Sequence, residues 1–313
     1  MPTRTPLKWT ADQIPDLTGR HVLITGANSG IGLETARELA RHRARVLIAV
    51  RDERKGQRAA AEIADSVPGA QVQVGVLDLA DLDSVRRFAD TVLDQRAPLD
   101  VLINNAGISA TPRRLSPQGH ELQFATNHLG HFALTNLLLP VLATGRDPRV
   151  VTLSSGQHKG GQIHFDDLTG EHGYAPLKYY RQSKLANVLF ALELDRRLRG
   201  NHSLIRSLLA HPGYAATNLQ TNGPTGLYRL AGILSSKLIA QSAAQAALPS
   251  LYAATAPDVD GGQFYGPDRL GELRGHPTLV APDPAAQDRE LADRLWTASE
   301  ELTGVAYPFA VAP

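Results

Sequence analysis

The chain has 313 residues, a formal net charge of +1 and no cysteine. Interspersed acids and bases with so little net charge argue against a nucleic-acid or anionic-membrane partner and leave a small molecule as the expected one. The lack of cysteine excludes disulfides, thiolate nucleophiles and Cys-based metal sites.

Met1–Leu17 is polar and punctuated by proline, with Trp9 and Ile14 inside it, and it lacks the apolar core of a signal peptide or anchor. No run approaches the roughly 20 apolar residues of a spanning helix. These features predict a cytoplasmic protein without a membrane anchor. The length suits one doubly wound domain over residues 1–313, with an N-terminal extension (1–17), a substrate lid (218–240) and a C-terminal extension (276–313).

His21 to Thr25 is a short apolar run followed at once by Gly26-Ala27-Asn28-Ser29-Gly30-Ile31-Gly32, after which apolar residues recur at helical spacing through Ala36, Leu39 and Ala40. The segment reads as strand, tight turn and helix. A helix N-terminus has unpaired N–H donors and the positive end of the helix dipole, so it suits a pyrophosphate if no side chain blocks the approach. Gly26, Gly30 and Gly32 leave that approach open. A match of this kind taken singly is also compatible with an ordinary structural turn.

Strand and helix then alternate. Arg45 to Val50 is a strand and Glu53 to Ser66 a helix stopped by Pro68-Gly69; Gln71 to Leu77 alternates and is closed by Asp78, and Asp81 to Asp94 is helical. Val101-Leu102-Ile103 is a strand ended by Asn104-Asn105-Ala106-Gly107. A long helix from about Glu121 to Ala143 leads to strand Arg149 to Leu153 and Ser154-Ser155-Gly156. A helix follows from about Leu177 to Arg199, then strand Leu204 to Ala210 with the turn His211-Pro212-Gly213, a helix from Ala240 to Ala254 and a last short strand around Gln263 to Tyr265. Asp283-Pro284 is placed to cap a final helix carrying Leu291, Leu295, Ala298 and Leu302 on one face. This alternation predicts an α/β, doubly wound Rossmann fold: a mostly parallel sheet of about seven strands with helices on both faces and ligands at the strands' carboxyl ends.

Tyr180 and Lys184 lie four apart on one predicted helix and share a face. A free phenol has a pKa near 10, and a neighbouring ammonium favours its ionised form, so the pair suits acid–base work on an alkoxide or alcohol. Tyr179 sits alongside as a rival. Ser155, just past a strand, can hydrogen-bond a substrate oxygen as charge develops on it. Asn127 can join a proton relay if its helix is locally distorted, and is otherwise a structural amide. Asn104 to Gly107 would set small residues against a cofactor. His128 and His131 lie one turn apart but have no third ligand, so packing or surface roles are expected and no metal. The basic runs Arg41-His42-Arg43 and Arg196-Arg197-Arg199 fall at helix C-termini and read as solvated faces.

In order along the chain, Thr25-Gly26-x-x-x-Gly30-x-Gly32, Asp78, Asn104-Asn105-Ala106-Gly107, Asn127, Ser155, Tyr180-x-x-x-Lys184 and Pro212-Gly213-x-x-x-Thr217 resemble a classical short-chain dehydrogenase/reductase over roughly Thr18 to Gly266. The resemblance implies Tyr180 as acid/base, Lys184 as its tuner and a ribose ligand, Ser155 as the carbonyl-positioning group and Asn127 as holder of a relay water. It further implies a dinucleotide held by Gly26, Asn28, Ser29, Gly30, Ile31, Gly32, Arg51, Asp78, Leu79, Asn105, Ala106, Gly107, Tyr180, Lys184, Pro212, Gly213 and Thr217, with Asp78 at the adenine and Thr217 at the nicotinamide amide. Ser155 and Tyr180 are 25 positions apart, an insertion relative to compact members of the family. That insertion, Ala27-Asn28-Ser29 and Ser183-Lys184-Leu185-Ala186-Asn187 resemble the retinol dehydrogenase, WW-domain oxidoreductase and protochlorophyllide reductase branch. The last is disfavoured because its light-dependent members carry a functional cysteine.

Strand two ends at Val50 followed by Arg51, where NAD-selective members carry an acid, so NADP(H) is expected over NAD(H). Asp52 is the competing feature. The expected activity is hydride transfer between the nicotinamide and a carbonyl or alcohol substrate; the apolar residues of 219–239 point to an apolar one. The alternative is an idle NADP(H)-binding sensor or scaffold. A homodimer or homotetramer is compatible with the resemblance, through the helices that contain Asn127 and Tyr180.

Overall fold

The structure, a computed structural model, describes residues 8–214 and 241–309. Thr217 and the predicted lid at 218–240, with its apolar residues, lie outside the described residues. Eight strands form one sheet: β1 (His21–Thr25), β2 (Arg45–Val50), β3 (Gln71–Val76), β4 (Val101–Asn104), β5 (Arg149–Leu153), β6 (Arg206–Ala210), β7 (Phe264–Arg269) and β8 (Arg274–Leu279). Their order is β3-β2-β1-β4-β5-β6-β7-β8, and every pairing is parallel except β7 with β8. The order reverses direction between β1 and β4. In such sheets the crevice at that point, outside the carboxyl ends, is where a ligand sits.

The eighth strand corrects the expectation that residues around Tyr265 complete the sheet. Its sequence, Arg-Gly-His-Pro-Thr-Leu, is polar and contains Pro277, which a sheet tolerates at an edge because one side of the strand needs no ladder donor. The hairpin that brings it back places Leu270, Gly271 and Glu272 at positive φ.

Helices α1 (Gly30–Arg41), α2 (Glu53–Ser66) and α6 (Ala243–Thr255) cover one face, with Leu39, Ile63 and Leu251 fully buried against Ile24 and Ile48. Helices α3 (Leu82–Asp94), α4 (Gly130–Leu142) and α5 (Pro176–Gly200) cover the other, where Phe88, Phe132 and Phe190 meet Leu23, Leu102 and Val150. The N-terminal segment is tied down: Trp9 packs edge-on to Tyr252 at 5.2 Å, and its carbonyl accepts from His276 Nδ1 at 3.0 Å.

The last helix, α7 (Arg289–Thr303), starts five residues later than the Asp283-Pro284 pair implies. Asp283 caps only the short turn Pro284–Gln287, and Asp288 caps α7 by accepting from Leu291 N at 3.1 Å. Ala292, Leu295 and Trp296 are buried, and Trp296 stacks on Phe190 at 5.8 Å. Arg197 is likewise not a solvated cation: its guanidinium stands 4.4 Å over the Trp296 ring and pairs with Glu193 at 2.6 Å and Asp293 at 2.7 Å. Helix α7 thus lies against α5 and the start of α4, and a dimer formed through that face would have to displace it.

Candidate active site

The glycine turn is built to bring backbone close to backbone. Gly26 has φ +69°, and a Cβ there would stand 2.8 Å from the Ala106 Cβ; one on Gly32 would meet Asn105 Nδ2 at 2.5 Å and the Gly26 carbonyl at 2.8 Å. Asn105 lies across the turn, donating from Nδ2 to the Thr25 carbonyl at 2.8 Å. Thr25 Oγ1 accepts from the backbone N–H groups of both Asn105 and Ala106 at 3.0 Å. The ends of β1 and β4 are therefore fastened on either side of the switch point.

The N-terminus of α1 suits an anion. Ser29 is its N-cap residue but makes no side-chain cap, whereas α2 and α3 receive Asp52 and Asp81, which accept from Lys55 N and Asp83 N at 3.1 Å. Among the described residues, no side-chain acceptor competes for the first-turn donors at Gly30, Ile31 and Gly32. The uncapped helix end and the cradle that a Cβ would fill together fit a dinucleotide pyrophosphate.

Around it, Arg51 is exposed just past β2, and the Asp52 carboxylate is engaged as the α2 cap. Asp78 Oδ1 accepts from Ala80 N at 3.0 Å, and the Asp78 N–H donates to Ser84 Oγ at 3.0 Å, fixing the turn after β3. Leu79 packs on Gly130, where any Cβ would stand 2.3 Å from the Leu79 carbonyl oxygen.

The predicted long helix is interrupted where Asn127 lies. After the single turn Leu122–Phe124, residues Ala125–Leu129 form a π-helical turn before α4 begins. Such insertions are frequent at functional sites because they re-aim one side chain. Asn127 Oδ1 accepts from Ile108 N at 2.8 Å, and Nδ2 donates to the Ile108 carbonyl and to Ser183 Oγ, both at 2.9 Å. Both amide protons are committed, so the side chain clamps the segment after β4 to α5, and a relay water finds no N–H donor there. Gly107 fits against it: a Cβ would stand 3.2 Å from Asn127 Oδ1 and 3.4 Å from Lys184 Nζ.

The two adjacent tyrosines are used differently. Tyr179 is fully buried, stacks on Tyr174 at 4.8 Å and donates from its hydroxyl to Asp167 Oδ2 at 2.8 Å, so the insertion between Ser155 and Tyr180 is packed structure that consumes it. Tyr180 turns toward the hydroxyls of Ser155 and Ser109. The serines divide in the same way: Ser154 is buried and donates to the Lys184 carbonyl at 2.8 Å, while Ser155 is half-buried beside the phenol.

Lys184 Nζ lies 5.9 Å from the centroid of the Tyr180 ring and donates to the Leu153 carbonyl at 3.3 Å. Burial lowers the lysine from its ordinary pKa to about 8. Tyr180 departs from expectation: burial raises its pKa, and the Ser155 and Ser109 hydroxyls offset that only in part. In the free chain it is a phenol.

Pro212 and Gly213 are held from behind. Gly213 has φ +68°, a Cβ there would stand 2.4 Å from the Leu273 carbonyl oxygen, and the Pro212 carbonyl accepts from Gln241 Nε2 at 2.6 Å. Glu272, in the β7–β8 hairpin, joins this turn to the one after Ser155. Its carboxylate accepts from Lys159 Nζ at 2.8 Å and lies 3.2 Å from His211 Nε2.

The structure thus gathers Gly26 to Gly32, Asn105 to Gly107, Asn127, Ser155, Tyr180, Lys184 and Pro212-Gly213 at one end of the sheet. His128 and His131 are both buried, so neither has the surface role; His128 packs among aromatic rings with Nε2 2.9 Å from Ser299 Oγ. Sequence reasoning missed Ser109 and Glu272. Ser109 stands two residues past the Asn104 to Gly107 motif, a position that could have flagged it; Glu272 carries no local signal.

The short chain dehydrogenase family profile matches residues 20–226. The chain is 41% identical over 303 residues to human retinol dehydrogenase 13, covering 93% of this chain and 87% of that protein. It is 39% identical over 297 residues to mouse polyprenol dehydrogenase, covering 93% and 86% respectively. Among solved structures, an uncharacterized protein from Mycobacterium paratuberculosis superposes with a TM-score of 0.81 at 48% identity, covering 96% of this chain and all of that one. The chain belongs to the short-chain dehydrogenase family, in its retinol dehydrogenase branch, and is an oxidoreductase of a family that uses NAD(P).

Proposed function

We propose that this short-chain dehydrogenase transfers hydride between NADP(H) and an apolar alcohol or its carbonyl, with Tyr180 as general acid/base. The observation that carries the reading is the placement of Tyr180 beside Ser155 and Ser109, one helical turn from the Lys184 ammonium. When bound, the nicotinamide supplies or accepts the hydride. Ser155 orients the substrate oxygen by hydrogen bonding, which strengthens as negative charge develops there. Tyr180, a phenol in the free chain, donates its proton to that oxygen in reduction and takes one back in oxidation. Lys184 favours the transient phenolate through its charge and holds the ribose. Asn127 keeps the segment after β4 against α5, so that Gly107 and Ser109 border the reacting centre.

NADP(H) selection rests on Arg51, a guanidinium open to pair with a 2′-phosphate, and on Asp52, whose carboxylate is engaged in capping α2 rather than free for a ribose 2′-OH. Retinol and polyprenol, the alcohols in the names of two relatives, are both long isoprenoid alcohols. They favour a substrate of that class, as do the apolar residues of 219–239. The test is a panel of isoprenoid and short polar alcohols and aldehydes with each dinucleotide. Turnover of the isoprenoid members with NADP(H) is expected, and dinucleotide binding without turnover of any member would return the chain to a sensor or scaffold.

A further inference from the structure

We infer that His131 is a positioning residue that couples the dinucleotide turn at Thr25 to the Asn127 turn, an inference that rests on the function proposed above. His131 lies on α4, is 1% exposed, and bonds through both ring nitrogens. Nδ1 is 3.0 Å from the Asn127 carbonyl oxygen and Nε2 is 2.8 Å from Thr25 Oγ1. A carbonyl only accepts, so Nδ1 carries the proton and Nε2 accepts from the threonine hydroxyl. Thr25 Oγ1 uses its lone pairs for the N–H groups of Asn105 and Ala106, so its one proton goes to the imidazole at 2.8 Å in preference to the Ile103 carbonyl at 3.5 Å. Burial keeps the ring neutral, with a pKa of about 4, so neither bond inverts near neutral pH.

The result is one directional chain: backbone N–H groups after β4, the hydroxyl at the end of β1, the imidazole, then the carbonyl of the π-helical turn. The same Asn127 whose carbonyl ends this chain holds Ile108 and Ser183 with its side chain. A displacement of the glycine turn is therefore passed to the residues that border Tyr180 without contact between dinucleotide and imidazole. Nothing in this chain exchanges a proton with substrate, so His131 acts through the groups it holds.

Helix α4 supplies its own control. Asn136 donates from its side chain to the Phe132 carbonyl four residues back at 3.0 Å. His131→Asn can keep the equivalent bond to the Asn127 carbonyl while losing the acceptor for Thr25. The expected result for H131N is an affinity for NADPH about tenfold weaker, the scale of one lost buried hydrogen bond, with the dinucleotide KM rising more than kcat falls. Thr25→Ser should stay within about twofold of the parent, and T25V/H131N should bind no more weakly than T25V alone. A purely structural histidine would lower the melting temperature and leave affinity and the KM-to-kcat split alone, which would overturn the coupling. The parent protein gives a reading that does not depend on any variant folding: NADPH should slow amide exchange over residues 125–131. Binding and turnover with unchanged exchange there would sink the coupling alone, whereas a parent that binds no dinucleotide sinks the proposed function as well.

Discussion

Lys184 Nζ shares the Leu153 carbonyl oxygen with Asn187 Nδ2, at 3.3 and 3.0 Å, and no carboxylate pairs with it among the described residues. Its ammonium is thus held by neutral dipoles in a buried site, which is why its pKa falls to about 8. In the unfolded chain the lysine binds its proton more tightly, so it opposes folding most strongly below about pH 8. That penalty disappears as the pH rises toward the unfolded value of 10.5. Lys184→Met should therefore be more stable relative to the parent at pH 7 than at pH 10. The gap should narrow by an amount on the order of 2–3 kcal/mol, and urea unfolding of both proteins at the two pH values checks it. A gap independent of pH would show that the ammonium is better compensated than its contacts suggest.

Dinucleotide choice separates Arg51 from Asp52. Arg51→Ala should weaken NADPH binding about tenfold, one charge-assisted pair, and leave NADH binding unchanged. Asp52→Ala should lower the melting temperature by removing the α2 cap and leave the preference between the two dinucleotides where it was. Fluorescence titration of both variants with both dinucleotides decides between them. A switch of preference in the Asp52 variant would assign the ribose contact to that carboxylate.

Glu272 gives a pH effect of the opposite sign. His211 and Lys159 hold its pKa at about 2, below the ordinary 4.5, so its contribution to stability is complete above pH 4.5 and is lost as the pH falls toward 2. Glu272→Gln keeps the side-chain shape in the hairpin but has no charge to lose. Acid unfolding of the variant should be the shallower of the two between pH 4.5 and 2, measured by circular dichroism. Equal slopes would remove Glu272 as the clamp between the Ser155 and Gly213 turns.

The strand–helix alternation and the glycine turn are legible in the sequence because a buried parallel strand needs an unbroken apolar run and a helix a repeating one. Tyr180 and Lys184 are legible because four residues make one helical turn. The π-helical turn at Asn127 is not, since Ala-Thr-Asn-His-Leu carries no pattern that separates it from α-helix; the tertiary bonds to Ile108 and Ser183 make it. Nor is β8, a polar edge strand reached through left-handed Leu270 and Glu272. The raised pKa of Tyr180 is equally hidden, because the spacing reveals the ammonium and says nothing of the burial that raises it.

The most direct test compares Tyr180→Phe with Tyr179→Phe by NADPH titration and by turnover of an isoprenoid aldehyde. The account predicts that Y180F keeps NADPH binding within about tenfold of the parent, the scale of one lost hydrogen bond, but loses turnover by about 100-fold or more, the scale of a removed general acid, while Y179F, which loses only its hydroxyl bonds to Asp167, keeps turnover. Undiminished turnover in Y180F, or its loss in Y179F alone, would contradict it.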